Sequence, residues 1–316
     1  MSVVVYIESQ NGIIKKAGLE VASYGRAIAN ATKTALIAVT FNTEDTSILN
    51  SHGADKVYNI NTAEDSFFNV DRYCASIVGI AEQENAKVVV VSASADGRYL
   101  GPILAVKAQA AYFSNVVALP SSYEPFTVKR SCFTNKAFNE SVSEQGRVVV
   151  SLSSNAFGIV EQETAAEQLT GDYIESSSSL KVTSIDKVTD KITIADADIV
   201  VSGGRGLKGP ENWHLIEDLA EVLGAATACS KPVSDLGWRP HSEHVGQTGK
   251  PVASNLYIAI GVSGAIQHLA GINSSKVKVV INSDPEAPFF KAADYGIVGD
   301  AFEVVPQLIE KLKAIQ

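Results

Sequence analysis

The sequence predicts an α/β protein with two tandem domains, each built around a mostly parallel β-sheet. Short β-branched runs alternate with segments of helical periodicity in the first half, beginning with residues 3–7 and 16–29. These runs do not alternate polar with apolar residues, which is typical of strands buried on both faces of a parallel sheet. The same alternation restarts at Ile199, and 316 residues exceed the usual size of one domain.

In the first domain, four strands and three helices follow from these patterns. The segment AKVVVVSAS contains four successive valines and predicts a buried strand. The predicted strands are residues 3–7, 34–41, 56–60 and 86–94, and the predicted helices are 16–29, 68–83 and 101–111. From residue 126 to 160, the segments FTVKRSCF, SVSEQGRVVVSLSS and FGIVEQ predict shorter strands of antiparallel type.

A polar connection is predicted between the two domains. Residues 176–179 are four serines, and the segment KVTSIDKVTDKITIADA after them is rich in Thr, Asp and Lys, with room for one strand. We place the boundary near residues 186–195, which gives domains at 1–190 and 191–316. The second domain is predicted to contain strands at 199–204, 256–262 and 277–282, helices at 212–223, 265–270 and 304–314, and a Pro- and Gly-rich loop at 231–252.

Composition and charge exclude several classes of function. A net charge of −9 argues against nucleic-acid binding through a general basic surface. Three cysteines without a CxxC pair fit a reducing compartment and argue against a disulfide scaffold. No signal sequence and no run of roughly 20 apolar residues is visible. We therefore expect a cytoplasmic protein without membrane insertion, or the mature form of an organellar one.

Three strands of the second domain end in small or polar residues where the next element begins. The segments are VVSGGRG, IGVSGAIQH and VVINSDPEAP. Ligands bind outside the carboxyl ends of strands in an open parallel sheet. We therefore expect these three strand-end segments, called corners below, to converge on one crevice. Glycine lets the backbone approach a phosphate, and a helix N-terminus offers unpaired N–H donors. Ser263 and Gly264, at the start of a predicted helix, are therefore candidates for holding a pyrophosphate.

Each candidate also has a purely structural interpretation. Arg205 is either a surface cation or a phosphate contact. His268 is either a packed core histidine or a ligand contact. Thr248 lies in a Gly-flanked loop, where forming a turn is the simpler role.

The same holds for the remaining polar candidates. Asn282, Asp284 and Asp300 are typical of residues that cap turns. His241 and His244 lie three residues apart in HSEH, but no acidic or thiol cluster nearby completes a metal site. No Ser-His-Asp order or paired-carboxylate motif stands out.

Taken in order, these motifs resemble the carboxyl-terminal half of electron transfer flavoprotein α subunits. The set is VVSGGRGLK, CSKPVSD, VGQTGK, LYIAIGVSGAIQHLAG, INSDPEAPFFKAADYGIVGD and VVPQLIEKL, and it runs from Ile199 to the C-terminus. The fourth of these segments is highly specific for the family. The amino-terminal half is similar to the family's first domain in outline, through GADKVY and VVVVSASADGRYLGP, whereas RSCFTNKAF differs from the RxxYAGNA-like pattern expected there.

The resemblance implies an electron carrier, and not an enzyme with substrate chemistry of its own. In this family the α subunit pairs with a homologous β subunit and binds FAD in its carboxyl-terminal domain. The flavin accepts electrons from flavin-dependent dehydrogenases and passes them to a quinone reductase or similar acceptor. Residues 1–190 would form a nucleotide-hydrolase-like domain that contacts the β subunit, and residues 191–316 a Rossmann-like, doubly wound FAD-binding domain.

Matching positions imply the FAD contacts. They are Arg205, Ser230, Lys231, Val245, Gly246, Gln247, Thr248, Ser263, Gly264, Ala265, Ile266, Gln267, His268, Asn282 and Asp300. Arg205 should contact the phosphate or ribitol side, and Ser230 with residues 245–248 should line the flavin, the Thr248 hydroxyl lying near N5. Residues 263–268 should hold the pyrophosphate and ribityl chain, with His268 near the flavin O2 edge. Asn282 and Asp300 should bind the adenosine end.

Lys231 departs from the family pattern, which has an arginine lying over the flavin at this position. Lysine keeps the positive charge but lacks the planar guanidinium that stacks on a ring. We therefore expect the anionic semiquinone of the flavin to be less strongly stabilised than in arginine-bearing relatives. The alternative is that Lys231 points to solvent.

Other functions stay open at the level of the sequence. A bifurcating or nitrogen-fixation-type complex that uses NADH differs mostly in its β subunit. A stand-alone NAD-dependent dehydrogenase predicts an acid–base pair, and a GxGxxG motif with an acidic residue about 20 positions on; neither is evident. A pure adenine-nucleotide binding module would leave Thr248 and His268 without a purpose.

Overall fold

The computed structural model describes residues 2–62, 67–133, 135–176, 182–183, 193–194 and 197–315. The chain divides into two compact units, Met1–Ile185 and Asp186–Gln316. The predicted α/β class with mostly parallel sheets is confirmed. The boundary predicted at residue 190, and most of the polar connection before it, lie outside the described residues. In the part of the chain that is described, no helix is both long and apolar enough to cross a membrane.

The first unit is a ten-stranded sheet with helices on both faces. Its strands are β1 (Ser2–Ile7), β4 (Ala35–Phe41), β5 (Lys56–Ile60), β6 (Ala86–Ser92), β7 (Ala111–Val116), β8 (Ser122–Tyr123), β9 (Phe126–Cys132), β10 (Ala137–Ser143), β11 (Val148–Leu152) and β12 (Glu167–Gly171), with β2 (Ser9–Gln10) and β3 (Ile13–Ile14) as a separate hairpin. The sheet order is β10-β9-β7-β11-β6-β1-β4-β5-β12, with β8 beside β9. The seven strands from β7 to β12 in this order pair in parallel, and β9 and β10 are antiparallel.

The valine run of β6 shows why the strands are apolar on both sides. Val88 and Val90 pack into the core beneath α1 (Lys16–Thr32). Val89 and Val91 pack on the opposite face, against α2 (Val70–Gln83) and α3 (Ala95–Lys107). Successive side chains of a strand point to opposite faces, so a strand covered by helices on both sides needs an apolar residue at every position.

Three predictions for this unit are wrong. The helix predicted at 101–111 begins at Ala95, because the hydroxyl of Ser94 caps it by accepting the N–H of Gly97 at 3.0 Å, and it ends at Lys107. The segment 148–152, expected to be antiparallel, is the parallel strand β11 between β6 and β7. In FGIVEQ the structure has only an isolated bridge at Gln162, and β7 and β12 were not predicted.

The second unit is a five-stranded parallel sheet. Its strands are β13 (Ile199–Gly203), β14 (Ala226–Cys229), β15 (Leu256–Ile260), β16 (Val277–Asn282) and β17 (Tyr295–Val298), and its helices are α4 (His214–Leu223), α5 (Lys231–Asp235), α6 (Ile266–Ile272) and α7 (Ala301–Lys313). Short 3₁₀ helices lie at Ser47–Leu49 in the first unit, and at Arg205–Leu207, Pro210–Trp213, His241–Glu243 and Pro288–Lys291 here. The order β14-β13-β15-β16-β17 is the doubly wound order 2-1-3-4-5.

Helices cover both faces of this sheet, as predicted for a doubly wound fold. Leu219 of α4 and Val305 of α7 share one core cluster. Ile272 of α6 belongs to the cluster on the other face, with Tyr257 and Phe289. The strand order reverses between β13 and β15, so their carboxyl ends bound the crevice where such sheets bind ligands.

Candidate functional site

A cavity of about 540 Å³ lies outside the carboxyl ends of β13, β15 and β16. It is lined by the predicted residues Arg205, Ser230, Lys231, Val245, Gly246, Gln247, Thr248, Ser263, Ala265, Gln267, His268 and Asn282. Gly264, Ile266 and Asp300 do not line it. The three corners expected from the sequence therefore converge on one crevice.

Backbone hydrogen bonds join the loop after β13 to the end of β15 and the loop that follows it. The N–H of Gly204 donates to the carbonyl of Ile260 at 2.9 Å, and the N–H of Gly206 donates to Gly261 at 3.1 Å. A Cβ on Gly204 would lie 2.1 Å from the Gly261 oxygen, so only glycine fits this close approach. Gly261 itself has φ +63°, in the left-handed region that favours glycine. These bonds fix Arg205 relative to the loop after β15.

Gly264 does not line the cavity; it lets the loop after β15 pack against the 3₁₀ helix Pro288–Lys291. Its φ is +81°, and a Cβ there would lie 2.4 Å from the backbone nitrogen of Phe289. The N–H of Phe289 in turn donates to the carbonyl of Ser263 at 3.1 Å. The helix α6 then begins at Ile266, whose side chain is exposed. The N–H of His268 donates to the Ala265 carbonyl at 2.8 Å, whereas the N–H groups of Ile266 and Gln267 have no acceptor within the helix and are available to a ligand.

The loop 244–250 closes another side of the cavity. Val245 donates its N–H to the Cys229 carbonyl at 3.0 Å, and Gln247 donates to the Gln267 carbonyl at 2.7 Å. The loop is therefore held both by β14 and by the first turn of α6. This arrangement places Thr248 beside that turn, at an exposed position on the wall.

His268 is the most deeply buried predicted contact with a titratable side chain. Its Nε2 lies 2.9 Å from the hydroxyl of Tyr257, and its Nδ1 has no hydrogen-bond partner among the described residues. Burial, together with the nearby His244, lowers the pKa of His268 to about 4. The imidazole is therefore neutral at pH 7.

His244 was missed as a cavity residue by the sequence reasoning. It is 2% exposed, and its Nδ1 also has no partner among the described residues. Burial lowers its pKa, with His241 as the next cause. Its position directly before Val245, in the loop predicted to line the flavin, could have indicated that it reaches the cavity. Among the described residues no group of His, Cys, Asp and Glu is arranged to hold a metal ion.

The buried state of His268 predicts a pH dependence of stability. The unfolded imidazole titrates near 6.5 and the folded one near 4, so the unfolded chain binds more protons between these values. The contribution is fully present above pH 6.5 and is lost as the pH falls toward 4. We expect acidification from pH 7 to 5 to cost about 2 kcal/mol of unfolding free energy through this group.

Urea unfolding of the parent and of His268→Gln at pH 5, 6 and 7 measures this contribution. The variant should lose the His268 part of the pH dependence and keep the part due to His244. Equal slopes against pH in the two proteins would contradict the assignment.

The acidic and amide candidates form turns as well. Asn282 donates from Nδ2 to the Val262 carbonyl at 3.1 Å and accepts the N–H of Asp284 at 3.0 Å, which joins the loops after β15 and β16. Asp300 caps α7 by accepting the N–H of Phe302 at 3.0 Å, and its other oxygen lies 3.8 Å from the Lys208 ammonium. Asn282 reaches the cavity wall and Asp300 does not.

Several wall residues carry no signal in their residue type alone. The cavity is also lined by Gly206, Pro232, Gly261, Val262, Asp284, Ala287 and Pro288. Apart from Asp284, which the sequence indicated as a turn-capping residue, these residues contribute backbone and apolar surface, which a sequence motif for polar contacts does not select.

The wall fits the polar and anionic groups of a flavin dinucleotide. Two buried histidine nitrogens have no partner among the described residues, and such atoms are rare in native proteins because each costs about 1–3 kcal/mol. Arg205 and Lys231 add exposed positive charge. At Gly246 a Cβ would lie 3.1 Å from the Gln267 oxygen, so glycine lets the loop 244–250 pack closely against the first turn of α6. A ligand with acceptors and phosphates would satisfy these groups.

Comparisons with known proteins identify the family. Residues 3–172 match the sequence model of the electron transfer flavoprotein domain, and residues 193–273 match that of the electron transfer flavoprotein FAD-binding domain. The chain is 36% identical to the electron transfer flavoprotein subunit alpha of Bacillus subtilis (strain 168), over 99% of this chain and 98% of that one. It is 34% identical to the same subunit of Syntrophomonas wolfei, over 98% of each chain. It is 33% identical to Protein FixB of Clostridium saccharobutylicum, over 98% of this chain and 96% of that one.

The second of these models ends just after α6, so it includes most of the loops around the cavity. FAD is therefore the cofactor of the second unit. Matches that cover nearly the whole chain, at 32–36% identity, show that it belongs to the electron transfer flavoprotein α-subunit family.

Proposed function

We propose that this chain pairs with an electron transfer flavoprotein β subunit and carries electrons on one FAD held in the cavity of the second unit. Flavin-dependent dehydrogenases would reduce it, and a quinone reductase or similar acceptor would oxidise it. The chain would have no substrate chemistry of its own. The observation that carries the proposal is the cavity at the strand-order reversal, in a segment matched to an FAD-binding domain. Two buried histidine nitrogens on its wall have no partner in the described part of the chain.

Bound FAD supplies the redox chemistry, and the protein positions it and tunes its electronics. The N–H groups at the start of α6, together with the guanidinium of Arg205, would bind the phosphates. The neutral imidazole of His268 and the hydroxyl of Thr248 would contact the polar edges of the flavin. Lys231, the first residue of α5, would place an ammonium at the wall in place of the stacking arginine.

The remaining predicted FAD contacts divide into two groups. Ser230, Val245, Gly246, Gln247, Ser263, Ala265, Gln267 and Asn282 line the cavity and would contact FAD directly. Gly264, Ile266 and Asp300 do not line the cavity and would act through the shape of the loops around it. The first unit would supply much of the contact with the β subunit. We expect a cytoplasmic location, since all three cysteines are free thiols.

Counting flavin in the complex tests the proposal. The chain is co-expressed with its β subunit, the complex is purified, and FAD released on denaturation is measured per heterodimer. We expect a yellow complex with one FAD. Two FAD per heterodimer would instead indicate the bifurcating type, and reduction by NADH would then be assayed. A colourless complex that does not take up added FAD would contradict the proposal.

A further inference from the structure

Tyr257 lies behind His268, away from solvent. It is the second residue of β15, it is 0% exposed, and its ring stacks parallel to that of Phe289. Its hydroxyl lies 2.9 Å from Nε2 of His268. The contact joins the central strand of the sheet to the first turn of α6.

The direction of this hydrogen bond follows from the available partners. A buried hydroxyl donates its proton to an acceptor, and among the described residues the acceptor within bonding distance of Tyr257 is Nε2 of His268. The Ser202 hydroxyl, which partly offsets the rise in the pKa of Tyr257, has no hydrogen-bond partner among the described residues. Burial raises the pKa of Tyr257, so the phenol keeps its proton.

A neutral imidazole has one protonated and one unprotonated nitrogen. If Nε2 accepts from Tyr257, the proton of His268 lies on Nδ1, which is the nitrogen without a partner. The hydrogen bond to one ring nitrogen thus decides what the other offers to a ligand.

We propose that Tyr257 is a positioning residue that holds His268 in the Nδ1–H tautomer, so that a neutral histidine donates a hydrogen bond to an acceptor atom of the bound flavin. This inference rests on the proposed function, because the flavin is the acceptor. Tyr257 itself does not line the cavity and acts only through His268. A neutral donor favours negative charge on the flavin without adding a full positive charge to the site.

The substitution Tyr257→Phe tests this role, since it keeps the ring and removes the hydroxyl. The α–β complex is labelled with ¹⁵N histidine, and the His268 signals are assigned by their loss in His268→Gln. Long-range ¹H–¹⁵N spectra of the FAD-loaded and FAD-stripped complexes report which nitrogen carries the proton. We expect Nδ1–H in the parent and a large fraction of Nε2–H in the stripped variant.

Two further measurements report the consequence for the cofactor. In Tyr257→Phe the affinity for FAD should fall roughly tenfold, the effect of one hydrogen bond. The flavin midpoint potential should also fall, because a donor to the reduced form is weakened. Tyr24→Phe is the matched control, because Tyr24 is 0% exposed and donates to the Ala118 carbonyl at 3.0 Å in the first unit. It should change neither the tautomer nor the potential.

The outcomes separate this inference from the proposed function. A parent protein with Nε2–H, or a Tyr257→Phe variant that keeps Nδ1–H as fully as the parent, would overturn the inference while leaving FAD binding intact. A parent complex that takes up no FAD would overturn the proposed function, and with it the flavin as acceptor. The tautomer in that complex would still show whether Tyr257 controls His268.

Discussion

Gly204→Ala is expected to weaken FAD binding roughly 100-fold, because it separates two corners of the cavity. The added Cβ would lie 2.1 Å from the oxygen and 2.6 Å from the carbon of the Gly261 carbonyl. Both are backbone atoms, so the strain is not relieved by rotating a side chain. Overpacking of this kind costs about 3 kcal/mol at the upper end of its usual range, which corresponds to about 100-fold in affinity.

The expected loss of FAD affinity in Gly204→Ala comes from a steric clash and not from a strained backbone conformation. Gly204 has φ −114°, which alanine also adopts. The expected movement is a separation of the loop carrying Arg205 from the loop carrying Val262 and Ser263, with loss of the bond from Gly206 to Gly261.

Isothermal titration of the stripped α–β complex with FAD measures the effect, and thermal unfolding reports whether the unit still folds. Gly146→Ala is the matched control, because no atom lies within 4 Å of the added Cβ there. It should bind FAD like the parent. Equal FAD affinity in Gly204→Ala and in the parent would show that the two corners do not need to touch.

The order of elements was predictable from the sequence because it depends on residue patterns that are local. The strand Lys56–Ile60 and the strand Val277–Asn282 were predicted with the observed bounds. The direction of β11 was not predictable in this way. Its five residues VVVSL are buried, and whether such a run is parallel depends on β6 and β7, which are distant in the chain.

The candidate site was predictable to the extent that strand ends determine it. Carboxyl ends of parallel strands share one edge of a sheet, so motifs that follow strands converge without any knowledge of side-chain contacts. Whether Asp300 faces the cavity was not predictable, because an aspartate suits both a ligand contact and the cap of α7. The contact between Tyr257 and His268 was missed because a tyrosine within an apolar strand gives no polar signal.

A single buried carboxylate organises the loop that follows β11 in the first unit. Glu20 lies on α1 and is 7% exposed. It accepts the backbone N–H groups of Asn155 at 2.8 Å, Phe157 at 2.9 Å and Gly158 at 2.8 Å. Three N–H groups directed at one carboxylate form charge-assisted hydrogen bonds, which are stronger than neutral ones.

We predict that Glu20→Ala destabilises the first unit by about 3 kcal/mol, because it leaves three N–H groups of a partly buried loop without their acceptor. The melting temperature should fall by roughly 6 to 12 °C, as measured by calorimetry. The melting temperature of Glu20→Gln should lie between those of the parent and of Glu20→Ala. The amide oxygen of glutamine still accepts hydrogen bonds, whereas its NH₂ group faces N–H donors. Glu161→Ala, which removes an exposed carboxylate from the same loop region, should stay within about 0.5 kcal/mol of the parent. If Glu20→Ala and Glu161→Ala melt together, the three hydrogen bonds contribute no net stability, and the loop must be held by the packing of Phe157 against Tyr24 instead.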